Sequence, residues 1–183
     1  MVCQWDAGKS ITSGGGFSNY YKRPSWQDLS VATYSSNMAT SKSIPTTGYN
    51  KTGRGYPDLS LAGYGYLVRV PDASGPNGKY LTIAGTSASC SVAAAMFSNI
   101  NAARIAAGKG PVGWVNPALY AHAASFVKDV VSGNNRCASN GRCCSQGFFA
   151  APGWDPASGL GSDRKSTRLN SSHHGESRMP SSA

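Results

Sequence analysis

The run Ala84-Gly85-Thr86-Ser87-Ala88-Ser89 joins an apolar stretch, Tyr80-Leu81-Thr82-Ile83-Ala84, to the longest helix-patterned segment of the chain. No other feature constrains the fold as much. Gly85 lets the backbone turn tightly. From Val92 onward Val92, Met96 and Ile100 recur four apart, with Ala93 and Phe97 on the neighbouring row, until Gly108 supplies a stop. A strand that turns sharply into a buried helix is the unit of an α/β protein, and it puts the turn at the carboxyl end of the strand. Ser87 then stands where the helix begins, beside free N–H groups and the positive helix end, both of which stabilise developing negative charge. On spacing alone two readings stay open. Ser87 is a nucleophile, or Thr86, Ser87 and Ser89 are ordinary N-cap residues of a buried helix.

A nucleophilic serine needs a base within hydrogen-bond reach. Residues 1–162 contain no Glu and a single His, His122. His122 lies in Asn116-Pro117-Ala118-Leu119-Tyr120-Ala121-His122, which predicts a short helix begun near Pro117 and capped by Asn116. It reads as a surface or packed histidine, or else as a base. If Ser87 is catalytic, its base is therefore expected to be missing from this chain.

Before the serine turn, Ser13-Gly14-Gly15-Gly16-Phe17-Ser18-Asn19 allows either close approach of another backbone, such as a substrate strand, or a flexible turn. Pro24 predicts a helix over 25–34, and residues 35–53 read as a surface loop. Leu59–Leu61, Tyr66–Val70 and Tyr80–Ala84 read as strands. After the long helix, Asp129 and Asp155 flank a loop nearly free of other acids, which on spacing reads first as a pair of structural turns, with a calcium ion held by hard oxygens as the alternative.

The formal net charge is +9, but Lys22-Arg23 is the only adjacent basic pair before residue 163. Scattered charge of this kind favours solubility over a phosphate-reading face, so no nucleic acid is expected as a partner. No apolar run approaches 18 residues, so no membrane span is expected, and the first residues lack the order of a signal peptide. Five cysteines are present, and three of them, Cys137, Cys143 and Cys144, crowd one Gly/Asn/Ser-rich loop. Such crowding suits a disulfide-stapled loop in an oxidising compartment better than zinc, and the odd total leaves at least one thiol over.

At Asp163 the composition changes abruptly to Asp-Arg-Lys-Ser-Thr-Arg-Leu-Asn-Ser-Ser-His, without apolar periodicity. This string resembles one reading frame of a sequencing-library adapter. Residues 163–183 are accordingly read as a non-native tail, and residues 1–162 as the folded part.

Taken in order, Ser-Gly-Gly-Gly-Phe-Ser-Asn (13–19), Arg-Gly-Tyr-Pro-Asp (54–58), Gly-Thr-Ser-Ala-Ser (85–89), Asn-Pro-Ala-Leu-Tyr (116–120) and Gly-Trp-Asp-Pro-Ala-Ser-Gly-Leu-Gly (153–161) resemble the sedolisins, the serine-carboxyl peptidases that include lysosomal tripeptidyl-peptidases. The resemblance covers nearly all of residues 10–162. It implies a subtilisin-like α/β fold, here a partial doubly wound parallel sheet flanked by helices from the C-terminal portion of such a peptidase. It also implies Ser87 as nucleophile of a serine-type endopeptidase or tripeptidyl-peptidase working on peptides or proteins at acid pH, in a lysosomal or secreted setting. The family's Glu base, its supporting Asp and its oxyanion Asp map upstream of the present first residue, so this chain alone is expected to be inactive. Calcium is implied at the side chains of Asp129 and Asp155 and the carbonyls of Val130, Ala151 and Gly153. Relatives tie the cysteine loop to an upstream cysteine. Two residues depart from the family: Ser91 stands where Pro is usual, and Ala151 where Gly is usual. The alternatives are a subtilisin-type Ser-His-Asp peptidase fragment and a catalytically dead relative serving as a binding module.

Overall fold

The computed structural model describes residues 1–4, 8–39, 41, 44–72, 75–138 and 140–163. The bulk of the predicted tail, residues 164–183, lies outside the described residues. Along the chain run β1 (Gly16–Lys22), α1 (Ser25–Asn37), β2 (Gly53–Tyr56), β3 (Tyr66–Asp72), β4 (Gly75–Ile83), α2 (Thr86–Ala106), α3 (Asn116–Phe126), β5 (Val127–Lys128) and β6 (Ser162–Asp163).

Pro24 sits extended, at φ −74° and ψ 150°, and hands over to α1 at Ser25 as its fixed φ predicts. Gln27, Val31 and Tyr34 follow at helical spacing and form the buried face of α1. Against that face pack Leu119 of α3, Val127, and Ala151, Trp154 and Leu160 from the closing turns of the chain. Phe17 meets Phe148 and Trp154 edge-on, with ring centroids 5.5 and 6.0 Å apart. The core therefore lies where α1, α3 and the 151–160 segment converge, and it is built from residues far apart in sequence.

The strands pair as three two-stranded antiparallel sheets, β1 with β2, β3 with β4 and β5 with β6. The α/β composition is as expected, but the parallel sheet is not formed among the described residues. Parallel neighbours need a crossover that returns the chain in the same direction. Here the loop after α1 brings β2 back antiparallel to β1, β3 and β4 form a hairpin, and after α2 and α3 the chain pairs β5 only with β6. Leu59–Leu61, expected as a strand, joins no ladder and is instead fastened to the closing turns. Asp163, the first residue of the predicted tail, pairs with Val127.

Helix α2 ends as predicted, with Gly108 at φ +70° just beyond its last turn. Its setting differs from expectation: none of its residues is buried, and Ile100 and Ile105 are 46% and 61% exposed. The apolar stripe is present but only partly covered: Val92, Ala93, Met96 and Phe97 are half-buried, with Phe97 packed against the core, while Ile100 and Ile105 stand exposed. No helix of the described residues is long and apolar enough to cross a membrane.

Candidate active site and cation loop

Ser87 is an exposed residue in the first turn of α2. The helix is capped by Gly85, with no side-chain cap hydrogen bond, so neither Thr86, Ser87 nor Ser89 serves as an N-cap. The turn is fixed from outside the helix. Gly85 N–H donates to Gly63 O at 2.8 Å, and Ser89 Oγ donates to Ala62 O at 2.7 Å. Ser91, at the position where proline is usual in the resembled family, donates its hydroxyl back to Ser87 O at 3.0 Å. His122 is exposed on α3. Ser87 thus stands beside the open N–H end of a 21-residue helix.

The segment that holds the turn is itself anchored by a polar network that sequence reading missed. Asp58 Oδ2 accepts from Arg54 Nη2 at 2.6 Å and from Asn116 Nδ2 at 2.9 Å, and its Oδ1 accepts from Tyr120 OH at 2.9 Å. Gln27, wholly buried, donates from Nε2 to Tyr120 OH and to Gly55 O and accepts Gly55 N–H on Oε1. Burial, and then the Asp58 carboxylate, push the Tyr120 phenol well above its ordinary range. Asn116 was expected to cap α3, but Val115 is the N-cap and the Asn116 amide is spent on Asp58. The partners lie from 4 to 93 residues apart in sequence, so no local spacing could signal them.

The triple glycine also resolves. A Cβ on Gly15 would collide with the backbone carbonyl of Pro156, and Ser13 Oγ donates to Ala157 O at 2.6 Å. The backbone that approaches Gly15 is the chain's own 156–157 segment.

That segment belongs to the loop cluster around Asp129 and Asp155. Asp155 is wholly buried, and burial pushes its carboxyl up to about 6, against hydrogen bonds from the backbones of Ala157, Ser158 and Ala151 that favour the charge. Ser158 Oγ lies 3.1 and 3.0 Å from the two Asp155 oxygens and 3.4 Å from Val130 O. Gly153 N–H donates to Asp129 Oδ2 at 2.7 Å, while the buried Asp129 Oδ1 has no hydrogen-bond partner among the described residues. All five predicted residues, Asp129, Val130, Ala151, Gly153 and Asp155, thus fall in one cluster linked through Ser158 and these turns. Ser158 was overlooked, although Asp-Pro-Ala-Ser is the pattern of a side-chain-closed turn. Ala151 is buried in the core beside Trp154, which accommodates the methyl group that distinguishes it from glycine.

In the cysteine loop Cys137 and Cys143 form a disulfide, while Cys3, Cys90 and Cys144 are free thiols. This staple fits an oxidising compartment.

No protein-family model matches the chain. Similar proteins include tripeptidyl-peptidase 1 of Macaca fascicularis, 39% identical over 153 residues covering 81% of this chain and 25% of that one. Physarolisin of Physarum polycephalum is 37% identical, covering 82% and 25%, and aorsin of Aspergillus oryzae is 40% identical, covering 83% and 23%. The chain thus spans about a quarter of the length of these curated relatives. Among solved structures, Pseudomonas sedolisin, a serine-carboxyl proteinase complexed with pseudo-iodotyrostatin, superposes with a TM-score of 0.54 at 27% identity, over 86% of this chain and 36% of that one. The subtilisin-like α/β fold of that proteinase is the fold to which this chain's helices and small sheets correspond.

Proposed function

We infer from the chain's membership of the sedolisin family that it supplies the nucleophile of a serine-carboxyl peptidase, an endopeptidase or tripeptidyl-peptidase acting on peptides or proteins. The observation that carries this is Ser87, exposed in the first turn of α2 on a turn pinned by Ala62 and Gly63. Its Oγ attacks the scissile carbonyl, the proton passes to a carboxylate from the rest of the enzyme, and as the C–N bond breaks that proton is handed to the leaving amine. The acyl group bound to Ser87 is then released by water. A carboxylate base keeps working at acid pH, where an imidazole is protonated. That property suits a lysosomal or secreted peptidase in an acidic, oxidising compartment. The exposed far end of the apolar stripe of α2, Ile100 and Ile105, supports the view that this chain is one part of a larger catalytic domain.

In the full-length peptidase, Ser87→Ala is expected to abolish turnover, and a fluorophosphonate probe is expected to label Ser87. The 183-residue chain alone is expected to remain unlabelled, for want of a base. Turnover surviving Ser87→Ala would sink the assignment of the nucleophile. Labelling of the isolated chain would sink the claim that the base lies elsewhere.

The same reading includes calcium. The side chains of Asp129 and Asp155 with the carbonyls of Val130, Ala151 and Gly153 are the residues that would hold it, and the donor set of hard oxygens suits that ion. The fit rests on Asp129 Oδ1, a buried carboxylate oxygen with no partner among the described residues, and on Asp155, whose charge is costly to bury without a proton or a cation. When bound, the ion supplies positive charge that neutralises the two carboxylates and locks the 129–130 and 151–155 turns together.

A further inference from the structure

The phenol of Tyr120 stands between two polar side chains, and the direction of its proton is settled by what they are. Gln27 Nε2 lies 2.6 Å from the phenol oxygen, and Asp58 Oδ1 lies 2.9 Å from it. The Gln27 amide is itself oriented by main chain. Its Oε1 faces Gly55 N–H at 2.8 Å, a group that can only donate, which leaves Nε2 toward Gly55 O at 3.0 Å and toward Tyr120. The phenol therefore accepts from Gln27 and donates to Asp58. These bonds close a ring through Gln27 of α1, Gly55 of β2, Asp58 just beyond it and Tyr120 of α3.

The two oxygens of Asp58 are held differently. Arg54 and Asn116 both donate to Oδ2, at 2.6 and 2.9 Å, whereas Tyr120 donates to Oδ1. With the phenol proton in place the carboxylate is fixed at both ends. Without it, the group is free to swing about its Oδ2 contacts. From Asp58 the main chain runs through Leu59, which packs against the core, to Ala62 and Gly63. There it meets the serine turn: Ala62 O accepts from Ser89 Oγ at 2.7 Å and Gly63 O accepts from Gly85 N–H at 2.8 Å. Play at Asp58 thus enters the segment on which the turn carrying Ser87 is seated.

We propose that Tyr120 is a positioning residue of the peptidase: its hydroxyl fixes the Asp58 carboxylate and, through the 58–63 segment, the place from which Ser87 Oγ attacks. It touches neither the substrate nor the reacting atoms, and it gives up no proton in the reaction. The inference rests on the reading of Ser87 as nucleophile. A nucleophile displaced by a fraction of an ångström reacts more slowly while the contacts that bind substrate stay as they were, so the effect belongs in kcat and not in KM.

The test uses the full-length peptidase carrying Tyr120→Phe, which removes the hydroxyl and keeps the ring that packs on Trp26 with centroids 4.7 Å apart. Both kcat and the second-order rate of fluorophosphonate labelling at Ser87 are expected to fall about tenfold per titrated site, the scale of one lost hydrogen bond, with KM unchanged. Asp58→Asn replaces one acceptor oxygen by a donor that faces other donors, and it should lower both rates at least as far. Met38→Ala supplies the comparison, because Met38 packs against the core but takes no part in the ring. It is expected to lower Tm while keeping the parent's kcat. Parent rates in Tyr120→Phe, or an equal fall in Met38→Ala, would overturn the proposal and leave Ser87 as nucleophile. Turnover that survives Ser87→Ala would remove that reading, and this proposal with it.

Discussion

Ser89 follows Ser87 by two residues, and its hydroxyl is used neither to cap α2 nor to meet solvent. It donates to Ala62 O at 2.7 Å and so ties the first turn of the helix to the segment beneath it. Gly85 N–H makes the neighbouring tie to Gly63 O. If Ser87 is the nucleophile, these two bonds set where its oxygen stands, and an oxygen displaced by a fraction of an ångström attacks less well. Ser89→Ala in the full-length peptidase is therefore expected to lower kcat about tenfold, the equivalent of about 1.4 kcal/mol and of the order of one hydrogen bond. KM should stay nearly unchanged, and Ser89→Thr, which keeps the donor, should recover most of the loss. Steady-state kinetics normalised to titrated active sites separates this outcome from a simple loss of folded enzyme.

Among the elements, the 155–159 turn touches both the core and the Asp129–Asp155 loop cluster. Asp155 N–H donates to Gly159 O, and Gly159 N–H donates back to Asp155 O at 2.8 Å. Gly159 lies at φ +67°, and a Cβ there would run into the backbone of Asp58. Gly153 also has a positive φ, +88°, but a Cβ there would meet nothing within 4 Å. The same substitution should therefore separate two costs. Gly153→Ala is expected to lose about 1 kcal/mol from backbone strain alone, and Gly159→Ala about 3 kcal/mol from strain and overlap together. Urea denaturation that showed equal losses would contradict this account. Elements of this local kind were largely legible in advance: Pro24 announced α1, Gly85 and Gly108 bracketed α2, and the crowding of Cys137 and Cys143 announced a staple. The anchoring of Asp58 by Asn116 and Tyr120, and of Gly55 by Gln27, was not, because a buried hydrogen bond between residues tens of positions apart leaves no periodic trace. For the same reason the antiparallel return of β2 onto β1 could not be read from strand-like composition.

In the whole molecule these anchors form one continuous support. From the Asp129–Asp155 loop cluster the chain turns at Gly159, Leu160 N–H donates to Asp58 O at 2.9 Å, and Ser60 N–H donates to Gly161 O at 3.0 Å. The same 58–63 segment then offers Ala62 and Gly63 to the serine turn. Trp154 adds a hydrogen bond to Pro57 O at 2.9 Å from within the core. Order in the 151–161 turns is thus a condition for order in the segment under Ser87, and whatever fixes those turns stabilises more than its own loop. A cation on Asp129 and Asp155 would bind only the folded arrangement, since in the unfolded chain the two carboxylates are 26 residues apart. Calcium at a thousandfold excess over its dissociation constant would add about 4 kcal/mol to the folding free energy. Thermal denaturation of the full-length peptidase should accordingly show a Tm that rises with added calcium and falls again with a chelator. Asp129→Asn, which keeps the size of the side chain but removes its charge, should sharply reduce the calcium-dependent rise. An equal rise in the parent protein and in the Asp129→Asn variant would place the ion elsewhere. No rise in the parent protein would remove calcium from this loop altogether, leaving Asp155 to be balanced by its proton and its hydrogen bonds from Ala157 and Ser158.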